Sequence, residues 1–208
     1  MVRNTNIVIA AALVAASPAA HAQTDAGSRI VTAADVSVSD GTTYRASTEY
    51  QAPDRAEYLQ QFPDMTMRSA IDGEAVSVWR DGEALTRFPA GIGIWALGHQ
   101  FHAQLTGFGE INGGIIAVTP YDGEGDCPCT EYRGRLSAED MGIEGYGLVV
   151  SNQSGRAQRF FVHRQDQDPV MTTFDDWRSQ ADHELPYRVV VDDGEDVYDF
   201  RFDSIEFG

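Results

Sequence analysis

The feature that most restricts what this chain can fold into is a repeated two-residue turn. Asp-Gly occurs at Asp40-Gly41, Asp72-Gly73, Asp81-Gly82, Asp122-Gly123 and Asp193-Gly194. Asp tolerates the left-handed backbone region and Gly has no Cβ to clash there, so the pair suits the tight turn of an antiparallel hairpin. Segments rich in β-branched and aromatic residues flank three of these turns. Val36–Ser39 precedes Thr42–Ser47, Met65–Ile71 precedes Glu74–Arg80, and Tyr187–Val191 precedes Val197–Phe202, so each pair predicts a hairpin. Asp72-Gly73 and Asp81-Gly82 are nine residues apart, which predicts a three-stranded meander from Met65 to Phe88. Further strands are expected over Ile115–Thr119, Tyr146–Ser151 and Arg159–Arg164.

Alternation is clearest over Ile94–Thr106. Trp95, Leu97, His99, Phe101, Ala103 and Leu105 fall on one side, and Ala96, Gly98, Gln100, His102, Gln104 and Thr106 on the other. A period of two predicts a strand with Trp95, Leu97, Phe101 and Leu105 inward and Gln100 and Gln104 outward. On that reading Leu97→Ala is far costlier than Gln104→Ala. Helix signals are short: Pro53 and Asp54 open one that runs to about Phe62, where Pro63 closes it, and Thr173 with Asp176 starts another before Trp177 and Arg178. The fold class expected is predominantly β, with antiparallel hairpins and a meander forming a sandwich or small barrel and one or two short helices. A membrane barrel competes, because Tyr198, Phe200 and Phe202 alternate near the C-terminus. Most strands fall short of the roughly 9 to 11 residues that membrane strands need, so the barrel reading is not preferred.

Residues 1–22 have the pattern of a signal peptide, with Arg3 as the sole charge, an apolar stretch from Ile7 to Ala15, and Ala20-His21-Ala22 matching the small-x-small cleavage rule. The apolar stretch is shorter than the roughly 20 residues a bilayer requires. Cleavage near Ala22 would release a periplasmic or secreted protein, with residues 23–33 as a short disordered leader and residues 34–208 as one β-rich domain. Neither cysteine lies near that site, so no lipid anchor is suggested. No later stretch reads as a membrane helix, so an integral membrane protein is not expected.

Composition removes several function classes. All fifteen basic residues are arginine, which excludes Schiff-base and pyridoxal chemistry, the P-loop and the Ser-x-x-Lys acylation machinery. With 32 acids the net charge is −17, and loss of Arg3 with the leader makes it more negative still. Such a surface cannot neutralise phosphates, so nucleic acid is not an expected partner.

The most distinctive local motif is Cys127-Pro128-Cys129. In an exported protein the two thiols are expected to oxidise to a local disulfide, since exported cysteines usually pair. A redox role is weaker, because the familiar oxidoreductase motif has two residues between its cysteines. The alternative is a soft metal, zinc or copper, held by Cys127, Cys129 and His99. A hairpin turned at Asn112-Gly113 would set His99 opposite Asp126 and Gly98 opposite Cys127, while His102 would point to the other face. The preferred reading of His99 is a core histidine hydrogen-bonded to a carboxylate or carbonyl. Calcium is a further candidate at Asp192, Asp193, Glu195 and Asp196. Asp122, Glu124 and Asp126 resemble the start of a calcium loop, but Cys127 stands where that loop needs glycine.

Neither Gly-x-Ser-x-Gly nor His-Glu-x-x-His occurs, and 32 carboxylates do not single out a glycosidase pair. The expectation is therefore a non-catalytic envelope or secreted binding module, presenting a β scaffold to a protein or to a small-molecule or saccharide ligand, with no cofactor. The rivals are a zinc or copper protein built on the Cys-Pro-Cys loop and a hydrolase with an unassigned carboxylate pair.

Overall fold

The computed structural model describes residues 29–51, 55–73, 75–88, 98–106, 115–123, 127–134, 143–180 and 182–208. The described residues are nearly all antiparallel β. The first six strands are β1 (Arg29–Val38), β2 (Thr43–Gln51), β3 (Arg55–Gln61), β4 (Thr66–Asp72), β5 (Ala75–Arg80) and β6 (Glu83–Ala84). Among the described residues a short helix, α1 (Phe101–Leu105), lies between them and β7 (Ile115–Pro120), β8 (Cys129–Gly134), β9 (Ile143–Ser151), β10 (Ala157–Arg164), β11 (Gln167–Gln180), β12 (His183–Asp192) and β13 (Val197–Phe207). All thirteen belong to one sheet, in the order β6-β5-β4-β3-β2-β1-β13-β12-β11-β10-β9-β8-β7. The expected fold class holds, as an open, curled sheet. It consists of two meanders joined where the first and last strands pair.

The Asp-Gly turns behave as predicted where hairpins are expected. Asp81 and Gly82 both take positive φ, 52° and 83°, and lead from β5 into β6. At Asp40-Gly41 the aspartate caps its own turn, Oδ1 accepting the Thr42 N–H at 2.8 Å. Asp122-Gly123 lies between β7 and β8 instead of in a tight hairpin. Beyond the turns, β1 begins at Arg29, inside the segment read as a leader, and Ile30 is already buried against β13 and β2.

One face of the sheet is apolar and buried. Ala34 stands between Ala46 and Phe202, and Val36 between Tyr44 and Phe200. The row continues from Phe200 to Val189, and from Val189 to Phe174. These positions belong to one core cluster, which extends to Phe160 and Leu148 in the second meander. Close packing admits a ring only where a neighbour gives way: a Cβ at Gly134 would fall 2.2 Å from the Tyr146 ring, its cross-strand partner. The opposite face is charged. Arg45 bridges Asp35 at 3.0 Å and Asp203 at 2.6 Å, and Arg188 pairs Asp199 at 2.9 Å. Such an outer face cannot lie in lipid, which removes the membrane-barrel reading. Among the described residues no helix is long and apolar enough to cross a membrane.

Three expectations are corrected. Residues 55–61 form β3 and not a helix: Ala56, Tyr58 and Gln60 are buried at every second position, and the strand pairs on both sides. Two ladders outweigh the helix propensity of Arg-Ala-Glu and Leu-Gln-Gln. Thr173 and Asp176 likewise lie within β11, where Asp176 takes a φ of 50° and bends the strand instead of opening a helix. Residues 101–105 are helical, and Gln100 and Gln104 are each only 3% exposed. The segment lies on the face of the sheet, where a strand would leave its amides and carbonyls without partners. A helix satisfies its own backbone. Trp95, Leu97 and the Asn112-Gly113 turn lie outside the described residues.

If the apolar face is the core, Phe200→Ala should lower the unfolding free energy by about 3–5 kcal/mol in urea titration. Arg45→Ala on the charged face should cost about 1 kcal/mol or less. Equal losses would show that the faces are misassigned.

Candidate ligand-binding site

The inner face is lined by aromatic side chains from both meanders. Tyr44, Tyr50 and Tyr58 come from β2 and β3, and Phe200, Phe174 and Phe160 from β13, β11 and β10, all buried. Their polar tips meet one another: the Tyr44 and Tyr58 hydroxyls are 3.3 Å apart, and those of Thr32 and Thr48 2.6 Å apart. The inner-face positions of β1–β4, β12 and β13 hold no Asp or Glu, while towards the margins Glu83 stands opposite Arg80 on an inner row and Asp176, level with Tyr187, pairs with Arg178.

The α1 segment covers the centre of this face. Phe101 meets Phe200 edge-on at 5.5 Å and Phe202 at 6.5 Å. His99, just before the helix, stacks on Tyr58 at 4.5 Å and lies 5.5 Å from Phe200. Two side chains tie the segment to opposite parts of the sheet. Gln100 Nε2 donates to the Glu57 carbonyl on β3 at 3.0 Å, and His102 Nε2 donates to the Pro186 carbonyl on β12 at 2.8 Å. Between those two strands run β2, β1 and β13, so the segment is a strap across five strands. The His102 ring also stands edge-on to Phe202 at 4.5 Å. Burial pushes its pKa down to about 4, against the opposing pull of the Pro186 carbonyl. The ring is neutral at pH 7, with its proton on Nε2, because a carbonyl accepts only from a donor.

The residues singled out from sequence are not assembled into one centre. Cys127 and Cys129 have adjacent sulfurs and Cα atoms 5.3 Å apart. Cys129 opens β8, which pairs with β7 and β9, so the register that would place Cys127 opposite Gly98 does not form. His99 sits in the aromatic core with Tyr58. At the β12–β13 turn the carboxylates cap backbone: Asp193 Oδ1 accepts from the N–H groups of Glu195 at 2.9 Å and Asp196 at 2.7 Å, and Asp192 Oδ1 from Gly194 at 2.9 Å. Asp196 accepts from the Ser39 hydroxyl at 2.9 Å. Among the described residues no three His, Cys, Asp or Glu side chains are grouped to hold a metal. Glu124 and Asp126 lie outside them. A shallow hollow on the outer face over β3–β5 has its charges already matched, Arg68 stacking on Trp79 at 4.4 Å and bonding Glu57 at 2.6 Å.

Gln100 and His102 are the residues that sequence reasoning missed. Period-two alternation placed both on a polar outer side, and no local signal tells a buried strap from an exposed strand.

The fold recurs in solved structures. A LolA superfamily protein from Nitrosomonas europaea superposes with a TM-score of 0.59 at 10% identity, covering 88% of this chain and 86% of that one. A domain assigned to outer membrane lipoprotein sorting, from Vibrio parahaemolyticus, gives 0.56 at 9%, with 88% and 86% covered. A DUF1329 family protein from Desulfovibrio piger gives 0.58 at 8%, with 89% and 88% covered. The likeness at these identities is one of fold. No protein-family model and no curated protein sequence matches the chain.

The His102 environment fixes the sign of a pH effect. Its folded pKa of about 4 lies below the unfolded value near 6.5, so the unfolded chain binds the extra proton first and stability falls as the pH drops through that window. The loss should total about 3 kcal/mol by pH 4. The difference between wild type and His102→Gln in urea titrations at pH 7 and pH 5 isolates it from the carboxylates: wild type should lose more. An equal loss would show that His102 is not buried neutral.

For the cysteines, the tendency of exported thiols to oxidise leads us to expect no free thiol in protein folded under oxidising conditions. Elemental analysis is expected to show no stoichiometric zinc or copper. Metal retained by wild type and released by Cys127→Ser would reverse that expectation.

Proposed function

We propose that this protein is a non-catalytic, exported carrier that holds an apolar chain on the inner face of its curled sheet, with α1 as a displaceable cover. The observation that carries the reading is the face itself: an aromatic and aliphatic surface whose central strands, β1–β4, β12 and β13, turn no acidic residue inward, covered at its centre by a short strap. An apolar chain laid on such a surface leaves water and gains roughly 0.8 kcal/mol per buried methylene. The hydroxyl pairs within the face satisfy each other and present no unmatched charge to that chain. Two further features support the reading. Residues 1–22 fit an export signal, and one structural neighbour is a domain assigned to outer membrane lipoprotein sorting.

In this mechanism the ligand and α1 compete for one surface. Phe101 occupies the position against Phe200 and Phe202 that the chain would take. The apparent affinity is the intrinsic affinity reduced by the fraction of molecules with the cover displaced. The test is titration with a fluorophore-bearing long-chain fatty acid. Saturable binding, displaced by the unlabelled acid, is expected. Phe101→Ala should tighten the apparent Kd by about tenfold, because its wedge is worth roughly 1.5–3 kcal/mol. A wild-type protein and a Phe101→Ala variant that both leave the probe in water would overturn the proposal.

A further inference from the structure

The two ends of the sheet differ in chemistry. β6 is two exposed residues set among charges, with Arg80 and Asp81 before it, Glu83 within it and Arg87 after it. β7 reads Ile-Ile-Ala-Val-Thr-Pro and carries no charge. Its Ile116 and Val118 are the most exposed large apolar residues among those described, at 63% and 57%. Sheet ends are normally blunted by charge or shortness, as β6 is, and apolar residues left bare at an end mark a contact.

Val118 is also one end of a row. It stands opposite Tyr132 on β8, Tyr132 opposite Leu148 on β9, and Leu148 opposite Phe160 on β10. Exposure falls along that row, from Val118 through half-buried Tyr132 to 1% at both Leu148 and Phe160. The row is a continuous apolar track from solvent to the interior.

We infer that this track is the path by which an acyl chain enters and leaves the inner face, with β7 as its mouth. The inference rests on the carrier reading above and adds where the chain passes. An acyl chain fits better than an added peptide strand. A strand needs a regular edge to hydrogen-bond, and β7 carries a register irregularity between Ile115 and Ala117. A methylene chain needs only unbroken apolar surface, and a carboxylate placed on that surface would have to lose water as the chain passed.

A site on the path, away from the resting place, changes the rates of entry and exit together and leaves the equilibrium unchanged. Stopped-flow mixing with the fluorophore-bearing fatty acid, presented as free monomer, should show association and dissociation each slowed about tenfold in Ile116→Glu/Val118→Glu, with Kd within about twofold of wild type. Val118→Thr, close in shape, should slow both rates less and guards against misfolding of the double variant. Ala84→Glu at the other end of the sheet should change neither rate. Wild-type binding with unaltered rates in the β7 variants would overturn the path while leaving the carrier reading intact. A wild type that binds no probe is a different result and removes the carrier reading itself. A second arm presents the same probe in phosphatidylcholine vesicles. Slowing there but not with the monomer would also overturn the path, since β7 would then be where a vesicle lands and not where a chain threads.

Discussion

The structure depends on the pairing of β1 with β13. Every other neighbouring pair in the sheet is consecutive in sequence, so each meander can form from local hairpins. Among the strand pairings it is the β1–β13 ladder alone that joins them, and it sets Val36 against Phe200 and Ala34 against Phe202. It also ties the ends of the described chain, with Arg29 and Gly208 exchanging two backbone hydrogen bonds at 3.1 and 2.9 Å. A one-residue slip here would turn the inner residues of one meander outward, because side chains alternate with a period of two. The ladder closes a very long loop, which places its cost late in folding and makes the first six strands and the last seven the natural early units. It is also what gives the inner face its breadth, since α1 is tied to β3 on one side of this seam and to β12 on the other.

The charged face does a different job. With only arginine as a base and an excess of acids, the outer surface is organised as shared arginines: Arg45 between Asp35 and Asp203, and Asp199 between Arg188 and Arg201. Burial pushes the Asp199 carboxyl up, but the two guanidiniums outweigh that and hold its pKa below the usual range. Exposed pairs of this kind contribute little stability individually. Their value is in specifying which face meets water, and hence the register of a sheet whose other face must be buried. Glu131 is the exception in being buried. It lies over Gly147, where a Cβ would come within 2.8 Å of its oxygen, and Arg133 matches it with two bonds at 2.9 and 2.8 Å. An unpaired carboxylate there would cost several kcal/mol, so the glycine and the arginine are required together.

Much of the sheet was legible in the sequence because hairpins are local. Asp81-Gly82 reports its own geometry, and Val197–Phe202 alternates as strongly as any strand in the chain. The failures share one cause. Residues 55–61, 173–178 and 101–105 all lie where tertiary context overrides short-range signals: the first is held as a strand by ladders on both sides, the second by the ladder to β12, and the third is helical because it lies on a sheet and not in one. The site was legible only in its parts. Phe101 was expected inward and is inward, but the partner surface that makes it a wedge comes from Phe200 and Phe202, about a hundred residues away in the chain. Cys-Pro-Cys drew attention because it is unusual in sequence, whereas the strap's anchors, Gln100 and His102, are ordinary residues made distinctive by burial.

The polar character of those anchors bears on how firmly the cover is held. Burying Phe101 contributes about 3 kcal/mol, and Ala103 with part of Leu105 about 2 kcal/mol more. The bonds from Gln100 to Glu57 and from His102 to Pro186 add about 1 kcal/mol each. Against this total of roughly 7 kcal/mol, ordering five residues costs about 5–10 kcal/mol of backbone entropy. At the lower end of that cost α1 is held closed by only about 1–2 kcal/mol, so its opening lies at the low end of local unfolding energies while the strands beneath it open only with the whole fold. An apolar residue in place of His102 or Gln100 would remove polar burial and favour the closed strap. Side chains that hydrogen-bond to backbone carbonyls hold the strap in one place when the face is empty and lose little when water replaces those bonds. A cover held in this way is both specific in position and weak in grip, which is the combination a surface needs if it is to be protected from water and still yield to a ligand.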